Sequence, residues 1–387
     1  MSASTRRAFL HTLAGAGAAL AFAPSAFAAH ARANRVYIGT YTSKASQGIY
    51  TAQFDPASGA LSDIRLAVES ADPSFLALSP NRRTLYAVNE LATFDDAPGG
   101  AVSAYAVDRR TGDLRFLNQQ PSRGAHPCHL ITDQTGRWVL VANYSGGNLA
   151  VLPVGRDGRL APPATVVQHK GSSVNTSRQE GPHAHSIHLD ARNRFAIAAD
   201  LGIDRVVVYR WDPRSGNLSP EPTSSLQTAP GAGPRHFDFH PSGRFAFVIN
   251  ELNSTLSALS YDRATGALRE LHTVSTLPEG FTGSNSCADI HVAPSGRFVY
   301  GSNRGHNSIA AFAFNAANGQ LTAVGHASTE GETPRNFCIA PGGTHLLAAN
   351  QNTDTIISYT IDRRSGMLER VAMAEAPTPV CIQFLAG

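Results

Sequence analysis

The sequence predicts an all-β fold, a seven-bladed β-propeller of four-stranded antiparallel blades. Three observations lead to this prediction. Short apolar segments alternate with Pro- and Gly-containing turns along the chain, and one turn motif recurs seven times at intervals of 46 to 58 residues. The two ends of the repeated region also carry complementary parts of one repeat, which is what a closed ring requires.

The recurring turn has the form Asp-x-x-x-Gly-x-Leu. It occupies residues 55–61, 108–114, 212–218, 262–268 and 362–368, with variants at 315–321 and 157–160. A period of about 40 to 60 residues is typical of propeller blades. Seven copies of the motif therefore predict seven blades.

A second turn, at 241–244 and 294–297 among other places, leads into an apolar strand. With both turns, each unit divides into four short strands. The repeated region begins with a second-strand sequence at residues 35–40 and ends with a first-strand sequence at 379–385. We therefore expect both termini to complete one blade, so that no sheet edge is exposed.

Residues 1–28 have the composition of an export signal. Arg6 and Arg7 precede an Ala/Gly/Leu-rich stretch that ends in Ala26-Phe27-Ala28, and the arginine pair indicates the twin-arginine route. The sequence predicts a signal peptide over 1–28, a propeller domain over 35–387 and a periplasmic or secreted protein. An uncleaved anchor helix is the alternative, although the apolar run is shorter than the ~18 residues of a membrane span. No stable membrane insertion is expected after cleavage.

Charge and composition argue against several classes of partner and cofactor. Loss of Arg6 and Arg7 lowers the formal net charge from +3 to +1, which gives little support for a nucleic-acid partner. Lys44 and Lys170 are the two lysines, so Lys-dependent phosphate loops and Schiff bases are not indicated. The four cysteines lack Cys-x-x-Cys spacing, and neither a zinc site nor a redox motif is predicted.

Polar residues collect at one predicted end of the propeller. The first strand of a blade lines the channel and the second runs antiparallel to it, so first-strand starts and second-strand ends share one mouth. These positions carry His126, His183, His185, Arg235, His236 and Arg335, and Glu90, Asp200, Glu251, Arg304 and Gln351. Many asparagines beside them are explained by turn capping. A one-sided cluster of His, Arg and Glu is what a site for an anionic substrate requires.

Four segments make the resemblance to a known family specific. QEGPHAHS at 179–186, GPRH at 233–236, VINELNST at 248–255 and CADIH at 287–291 resemble the lactonase family of seven-bladed propellers. That family includes bacterial 6-phosphogluconolactonase and the fungal carboxy-cis,cis-muconate cyclase. The resemblance covers residues 35 to 387 and implies a metal-free site without a cofactor.

The resemblance implies a set of site residues. His185, Arg235, Glu251 and Arg304 match the family's catalytic residues. Arg335 repeats the Pro-Arg pair of 234–235 and is a predicted substrate contact. The other predicted substrate contacts are His183, His236 and Asn250.

Lactone hydrolysis needs residues of these types. It passes through an oxyanion that cationic donors stabilise, and a base takes a proton from the attacking water. His185 or Glu251 could be that base. We favour His185 because the unperturbed imidazole pKa of about 6.5 lies near neutral pH, with Glu251 orienting it or holding sugar hydroxyls. Arg304 would face the oxyanion, and Arg235 and Arg335 suit a terminal phosphate.

Other interpretations remain at this point. Arg235 and Arg304 could form structural salt bridges between blades, and His183-Ala-His185 could bind zinc, although no third ligand stands at a telling spacing. A muconate-type lactonising isomerase would use the same constellation on a diacid. A non-catalytic propeller scaffold would use none of it. Residues 161–182 are expected to overhang the site, and 91–100 to form a solvated loop.

The predicted export would place the protein outside the cytoplasm, whereas 6-phosphogluconolactone belongs to a cytoplasmic pathway. The predicted substrate is therefore either 6-phosphoglucono-1,5-lactone or an unphosphorylated aldonolactone formed outside the inner membrane. A closed propeller needs no partner to complete a sheet, so we expect a monomer.

Overall fold

A computed structural model describes residues 35–108 and 110–385, and it arranges them in seven four-stranded antiparallel sheets with one short extra strand and a small hairpin. This confirms the predicted all-β, seven-bladed propeller. The predicted signal peptide, residues 1–28, lies outside the described residues. Within the described part of the chain, no helix is long and apolar enough to cross a membrane.

The blades are numbered along the chain, and their strands run from the channel outwards. Blade 1 contains β31 (Pro379–Phe384), β1 (Arg35–Thr40), β2 (Gly48–Phe54) and β3 (Leu61–Glu69). Blade 2 contains β4 (Leu76–Leu78), β5 (Thr84–Asn89), β8 (Ala101–Val107) and β9 (Leu114–Pro121). Blade 3 contains β10 (Pro127–Thr132), β11 (Trp138–Asn143), β12 (Asn148–Pro153) and β13 (Thr165–Gln168). Blade 4 contains β14 (Ala184–Leu189), β15 (Phe195–Asp200), β16 (Arg205–Asp212) and β17 (Asn217–Pro220), and β18 (Leu226–Gln227) also pairs with β16.

The remaining blades follow the same plan. Blade 5 contains β19 (Pro234–Phe239), β20 (Phe245–Asn250), β21 (Thr255–Tyr261) and β22 (Leu268–Ser275). Blade 6 contains β23 (Cys287–Val292), β24 (Phe298–Asn303), β25 (Ser308–Asn315) and β26 (Gln320–Ser328). Blade 7 contains β27 (Pro334–Ile339), β28 (His345–Asn350), β29 (Thr355–Ile361) and β30 (Leu368–Glu375). The expected loop at 91–100 includes a two-stranded hairpin, β6 (Thr93–Phe94) and β7 (Ala97–Pro98).

The ring closes through blade 1, as the sequence predicts. Strand β31 from the end of the chain pairs antiparallel with β1, with Phe384 opposite Val36 and Ile382 opposite Ile38. Each first strand contacts the next around the channel, and β27 contacts β31 to complete the circle. The inner edge of blade 1 is therefore covered by the last strand of the chain.

The Asp-x-x-x-Gly turn connects the third and fourth strands. In blade 5 the Gly266 amide donates to the Asp262 carbonyl at 2.8 Å, and Gly266 has a φ of +78°. A residue with a Cβ rarely adopts that conformation. An added Cβ would also approach the Phe195 ring of blade 4 to 2.7 Å. Glycine is thus required by both the turn and the packing between blades.

The hydrophobic core lies between blades rather than at the centre of the ring. One cluster joins Phe247 and Ile249 of blade 5 to Ile290 and Phe312 of blade 6. The described residues form seven such clusters, one between each pair of neighbouring blades, and these clusters hold the ring together around the channel.

Candidate active site

A break in strand pairing positions four side chains at one mouth of the channel. In blades 3, 4, 5 and 7 the register shifts at the start of the first strand, between Pro234 and His236 in blade 5 for example. One residue is left outside the ladder, and such bulges redirect side chains next to active sites. The four residues are Cys128, His185, Arg235 and Arg335.

Glu251, the residue after β20, stands at the centre of a cage of arginines. Its Oε2 lies 2.9 Å from Arg235 Nε and 2.9 Å from Arg304 Nη2. Its Oε1 lies 2.6 Å from Arg178 Nη2. Burial alone raises the pKa of Glu251, but the charges of the three arginines outweigh it and lower the pKa to about 2. Both oxygens are occupied and the group is ionised at neutral pH, so Glu251 organises the cage and is a poor proton acceptor.

The loop between β13 and β14 supplies the third arginine. Arg178 also donates to Tyr144 Oη at 3.1 Å, and its side chain is 40 % exposed. The loop is tied down nearby, since the Gln179 amide donates to the Leu201 carbonyl at 2.9 Å. The expected overhanging segment therefore contributes directly to the site.

His185 lies in the wall of the mouth as a neutral imidazole. Its Nδ1 is 3.6 Å from Cys128 Sγ, and its ring meets Tyr144 and His236 edge-on at centroid distances of 5.3 and 5.4 Å. Burial and the positive charge of Arg235 hold the pKa of His185 well below its usual value.

Arg335 occupies the opposite side of the mouth. Its guanidinium stacks over the Tyr41 ring at 5.2 Å, and Tyr41 Oη donates to Glu90 Oε2 at 2.8 Å. Ser74 Oγ donates to the same carboxylate oxygen. Among the described residues, Arg335 makes no ion pair within 4.0 Å, so its charge is available to a ligand.

The mouth as a whole is cationic and mostly buried. Four guanidinium groups, of Arg178, Arg235, Arg304 and Arg335, face the carboxylates of Glu90 and Glu251. Preorganised cationic donors of this kind stabilise a developing oxyanion, and a guanidinium group binds phosphate or carboxylate through two parallel hydrogen bonds.

The comparison with known proteins decides the family. The model of the lactonase family, described as "Lactonase, 7-bladed beta-propeller", matches residues 35–384. The chain belongs to that family. The prediction of a lactonase-family enzyme is thereby confirmed.

Several lactonase relatives match nearly the whole propeller. The 6-phosphogluconolactonase of Bacillus subtilis (strain 168) is 39 % identical over 350 residues, which cover 90 % of this chain and 97 % of the relative. The 6-phosphogluconolactonase of Formosa agariphila is 34 % identical, covering 87 % and 95 %. The solved structure of the Pseudomonas aeruginosa periplasmic gluconolactonase PpgL has a TM-score of 0.85 and 34 % identity, covering 91 % and 98 %.

The structure of this lactonase brings the four predicted catalytic residues to one mouth. Arg235, Arg304 and Glu251 are in direct contact, and His185 lies in the same wall. Their roles in catalysis stay predictions. The alternative interpretation was that Arg235 and Arg304 form structural salt bridges between blades. Both do pair with a carboxylate, that of Glu251, but this carboxylate lies in the mouth.

Two predicted substrate contacts make bonds within the protein. His183 stacks on Tyr144 at 4.6 Å, and its Nε2 lies 3.0 Å from Glu180 Oε1. The Asn250 amide donates to Thr255 Oγ1 at 2.8 Å in the turn between β20 and β21. A contact of either residue with substrate stays a prediction. His236 lies one residue deeper in the channel, beneath the mouth.

Five residues of the mouth were not predicted as site residues: Tyr41, Glu90, Cys128, Tyr144 and Arg178. Glu90 stands at a second-strand end and Arg178 directly precedes the family segment at 179–186, so both carried a positional signal. Tyr41 carried none. In residues 35–108 and 110–385, no group of three or more His, Cys, Asp or Glu residues is arranged to hold a metal ion.

Proposed function

We propose that this lactonase hydrolyses an unphosphorylated aldonolactone, such as glucono-1,5-lactone, to the aldonic acid outside the inner membrane. The observation that carries the proposal is which arginines of the mouth are paired with a carboxylate. Three of the four bind Glu251, and Arg335 is left with no carboxylate partner among the described residues. A phosphate monoester carries a charge of about −1.5 to −2 at neutral pH, which is more than one guanidinium group neutralises. A single available guanidinium suits hydroxyls and the lactone carbonyl better than a phosphate dianion.

The cage suits the chemistry of the ester carbonyl. Attack of water on the lactone carbon moves negative charge onto the carbonyl oxygen. Arg304 is the favoured partner of that oxygen, since its side chain lies at the mouth and its Nε has no hydrogen-bond partner among the described residues. Glu251 holds the guanidinium groups in place before the reaction, so little reorganisation is needed in the transition state. The water's proton passes to a neutral imidazole beside the cage, where both His185 and His236 have a lowered pKa.

The proposed location has separate support. The leader over residues 1–28 has the Arg6-Arg7 pair of a twin-arginine signal. PpgL, a relative 34 % identical in sequence, is named a periplasmic gluconolactonase. The relatives named 6-phosphogluconolactonase keep the phosphorylated lactone as the second candidate substrate.

The decisive experiment compares kcat/KM on glucono-1,5-lactone with kcat/KM on its 6-phosphate, each corrected for spontaneous hydrolysis. We expect at least equal efficiency on the unphosphorylated lactone. A strong preference for the phosphate would reject the proposed substrate. Absence of turnover on either lactone, combined with conversion of a muconate-type diacid, would support the isomerase instead. Arg304→Ala, which lacks the proposed partner of the oxyanion, is the negative control and should show little turnover of either lactone.

A further inference from the structure

His236 and Asp289 form a buried pair directly beneath the mouth. His236 follows Arg235 on β19, and its Nδ1 lies 2.7 Å from Asp289 Oδ1 on β23 of the next blade. The two side chains are 6 % and 4 % exposed. Because a carboxylate accepts the Nδ1 proton, the neutral ring carries its lone pair on Nε2.

Asp289 is itself held firmly. Its Oδ2 accepts from the Asn336 amide at 2.6 Å and lies 3.2 Å from His291 Nε2, and its Oδ1 accepts from the Ile290 backbone amide at 2.9 Å. A carboxylate with donors on both oxygens cannot rotate freely. It therefore fixes both the orientation and the tautomer of His236.

The free nitrogen of His236 has no partner. Its Nε2 is buried and unbonded among the described residues, and an unsatisfied buried polar atom costs roughly 1–3 kcal/mol. A catalytic role or a bound water molecule are two of the explanations for such an atom in a native protein. A cavity of about 10 Å³ lies against His236, bounded also by Arg235, Arg335 and Glu90. That is close to the ~10–15 Å³ that one water molecule requires.

We propose that His236 is the general base of the lactonase reaction, that the small cavity holds the attacking water and that Asp289 is the positioning residue. The inference rests on the proposed lactone hydrolysis. One O–H bond of the water breaks, its oxygen bonds to the lactone carbonyl carbon, and the proton moves to His236 Nε2. When the tetrahedral intermediate collapses, the bond from that carbon to the ring oxygen breaks and the ring oxygen takes the proton from Nε2. The product is the open-chain aldonic acid, which releases its carboxyl proton to water.

Charge balance favours His236 over His185. Protonation of His185 would create a second cation beside Arg235, and no carboxylate contacts the His185 ring among the described residues. An imidazolium at His236 forms against the Asp289 carboxylate at 2.7 Å, although the same carboxylate also pairs with His291 at 3.2 Å, and the charge of His291 lowers the pKa of His236. Burial and the charge of Arg235 lower the pKa of His236 to about 4, so the ring is neutral and able to accept a proton from pH 5 upwards.

The test uses the purified enzyme on glucono-1,5-lactone and compares His236→Gln, Asp289→Asn and His185→Gln. General-base loss costs about 10²–10⁴-fold in rate, so His236→Gln should lower kcat by at least about 100-fold with KM nearly unchanged. Asp289→Asn should lower kcat and move the acidic limb of the pH profile to lower pH, because the carboxylate raises the pKa of His236. Added imidazole should partly restore His236→Gly. The matched control is His188→Gln. His188 Nε2 is also buried and unpartnered among the described residues, and His188 and His236 both line the cavity of about 500 Å³ at the opposite end, but His188 does not border the small cavity at the mouth.

The outcomes separate the inference from the proposed function. If the wild-type enzyme does not accelerate lactone hydrolysis, the function itself fails. If it does, and folded His236→Gln keeps its kcat while His185→Gln loses it, His185 is the base and the inference is wrong. Loss of activity in His236→Gly without imidazole rescue, together with an unshifted pH profile in Asp289→Asn, would assign the pair a structural role and overturn the inference.

Discussion

Arg235 on β19 and Glu251, directly after the neighbouring β20, form a buried ion pair, with Nε and Oε2 2.9 Å apart and side chains 2 % and 5 % exposed. Arg304 from blade 6 and Arg178 from the loop before blade 4 bind the same carboxylate. A single buried anion thus links three separate parts of the ring.

Glu251→Gln should destabilise the fold as well as the reaction. Removing one partner of a buried ion pair costs about 3–5 kcal/mol because the other charges are left uncompensated. The matched control is Asp157→Asn, which removes an exposed pair with Arg159 and should cost ~0–1 kcal/mol. Chemical denaturation at neutral pH measures the free energy of unfolding of both variants. Equal values for Glu251→Gln and Asp157→Asn would contradict a stabilising role of the buried cage.

The Glu251 cage should also govern stability in acid. The folded-state pKa of about 2 lies below the ordinary value of 4.5. The pair therefore contributes its full stability above pH 4.5 and loses it as the pH falls towards 2. The wild-type free energy of unfolding should decline over that window more than that of Glu251→Gln. If the free energies of unfolding of the two proteins fell in parallel with pH, Glu251 would not govern the stability in acid.

Arg178→Ala should impair binding more than stability. Arg178 is partly exposed and belongs to a loop, so its loss should change the free energy of unfolding by less than about 1 kcal/mol. Arg178 holds Glu251 and Tyr144 in place at the mouth. A hydrogen bond to a charged group is worth about 1.5–3 kcal/mol, so loss of this positioning should raise KM by up to roughly 10- to 100-fold. Steady-state kinetics on glucono-1,5-lactone measure the change. Arg210→Gln, which removes another exposed pair far from the channel, serves as the control.

Arg335→Gln should change substrate preference. Arg335 is the guanidinium of the mouth without a carboxylate partner among the described residues, so any activity on 6-phosphoglucono-1,5-lactone should depend on it. We expect kcat/KM on the phosphate to fall at least about tenfold further than on the unphosphorylated lactone. An equal fall on both lactones would show that Arg335 does not contact the phosphate.

His291 should make the protein less stable in mild alkali. Burial alone lowers its pKa, but the charge and hydrogen bond of Asp289, with the charge of Asp238, raise it to about 9. The unfolded value is about 6.5, so this stabilisation is complete below pH 6.5 and is lost as the pH rises to 9. Thermal unfolding between pH 6.5 and 9 should show that loss in the wild type and not in His291→Gln.

Much of this architecture was readable from periodicity. The Asp-x-x-x-Gly-x-Leu turns recur because each blade needs the same connection between its third and fourth strands, so counting them predicted the seven blades. The complementary ends at 35–40 and 379–385 predicted the closure. Position in the repeat also predicted that His185, Arg235, Glu251 and Arg304 would meet at one mouth, since equivalent strand positions lie at the same height along the channel.

The pairing of side chains within the mouth could not be read in this way. Arg178 comes from a loop that no other blade repeats, and Asp289 reaches His236 across the gap between two blades. Such contacts depend on which residues the closed ring brings within hydrogen-bonding distance. A repeat pattern determines where a strand lies and which of its residues face the channel. The partner of each charged side chain is set by packing and burial, because an ionised group inside the ring must be paired with whatever opposite charge the fold places beside it.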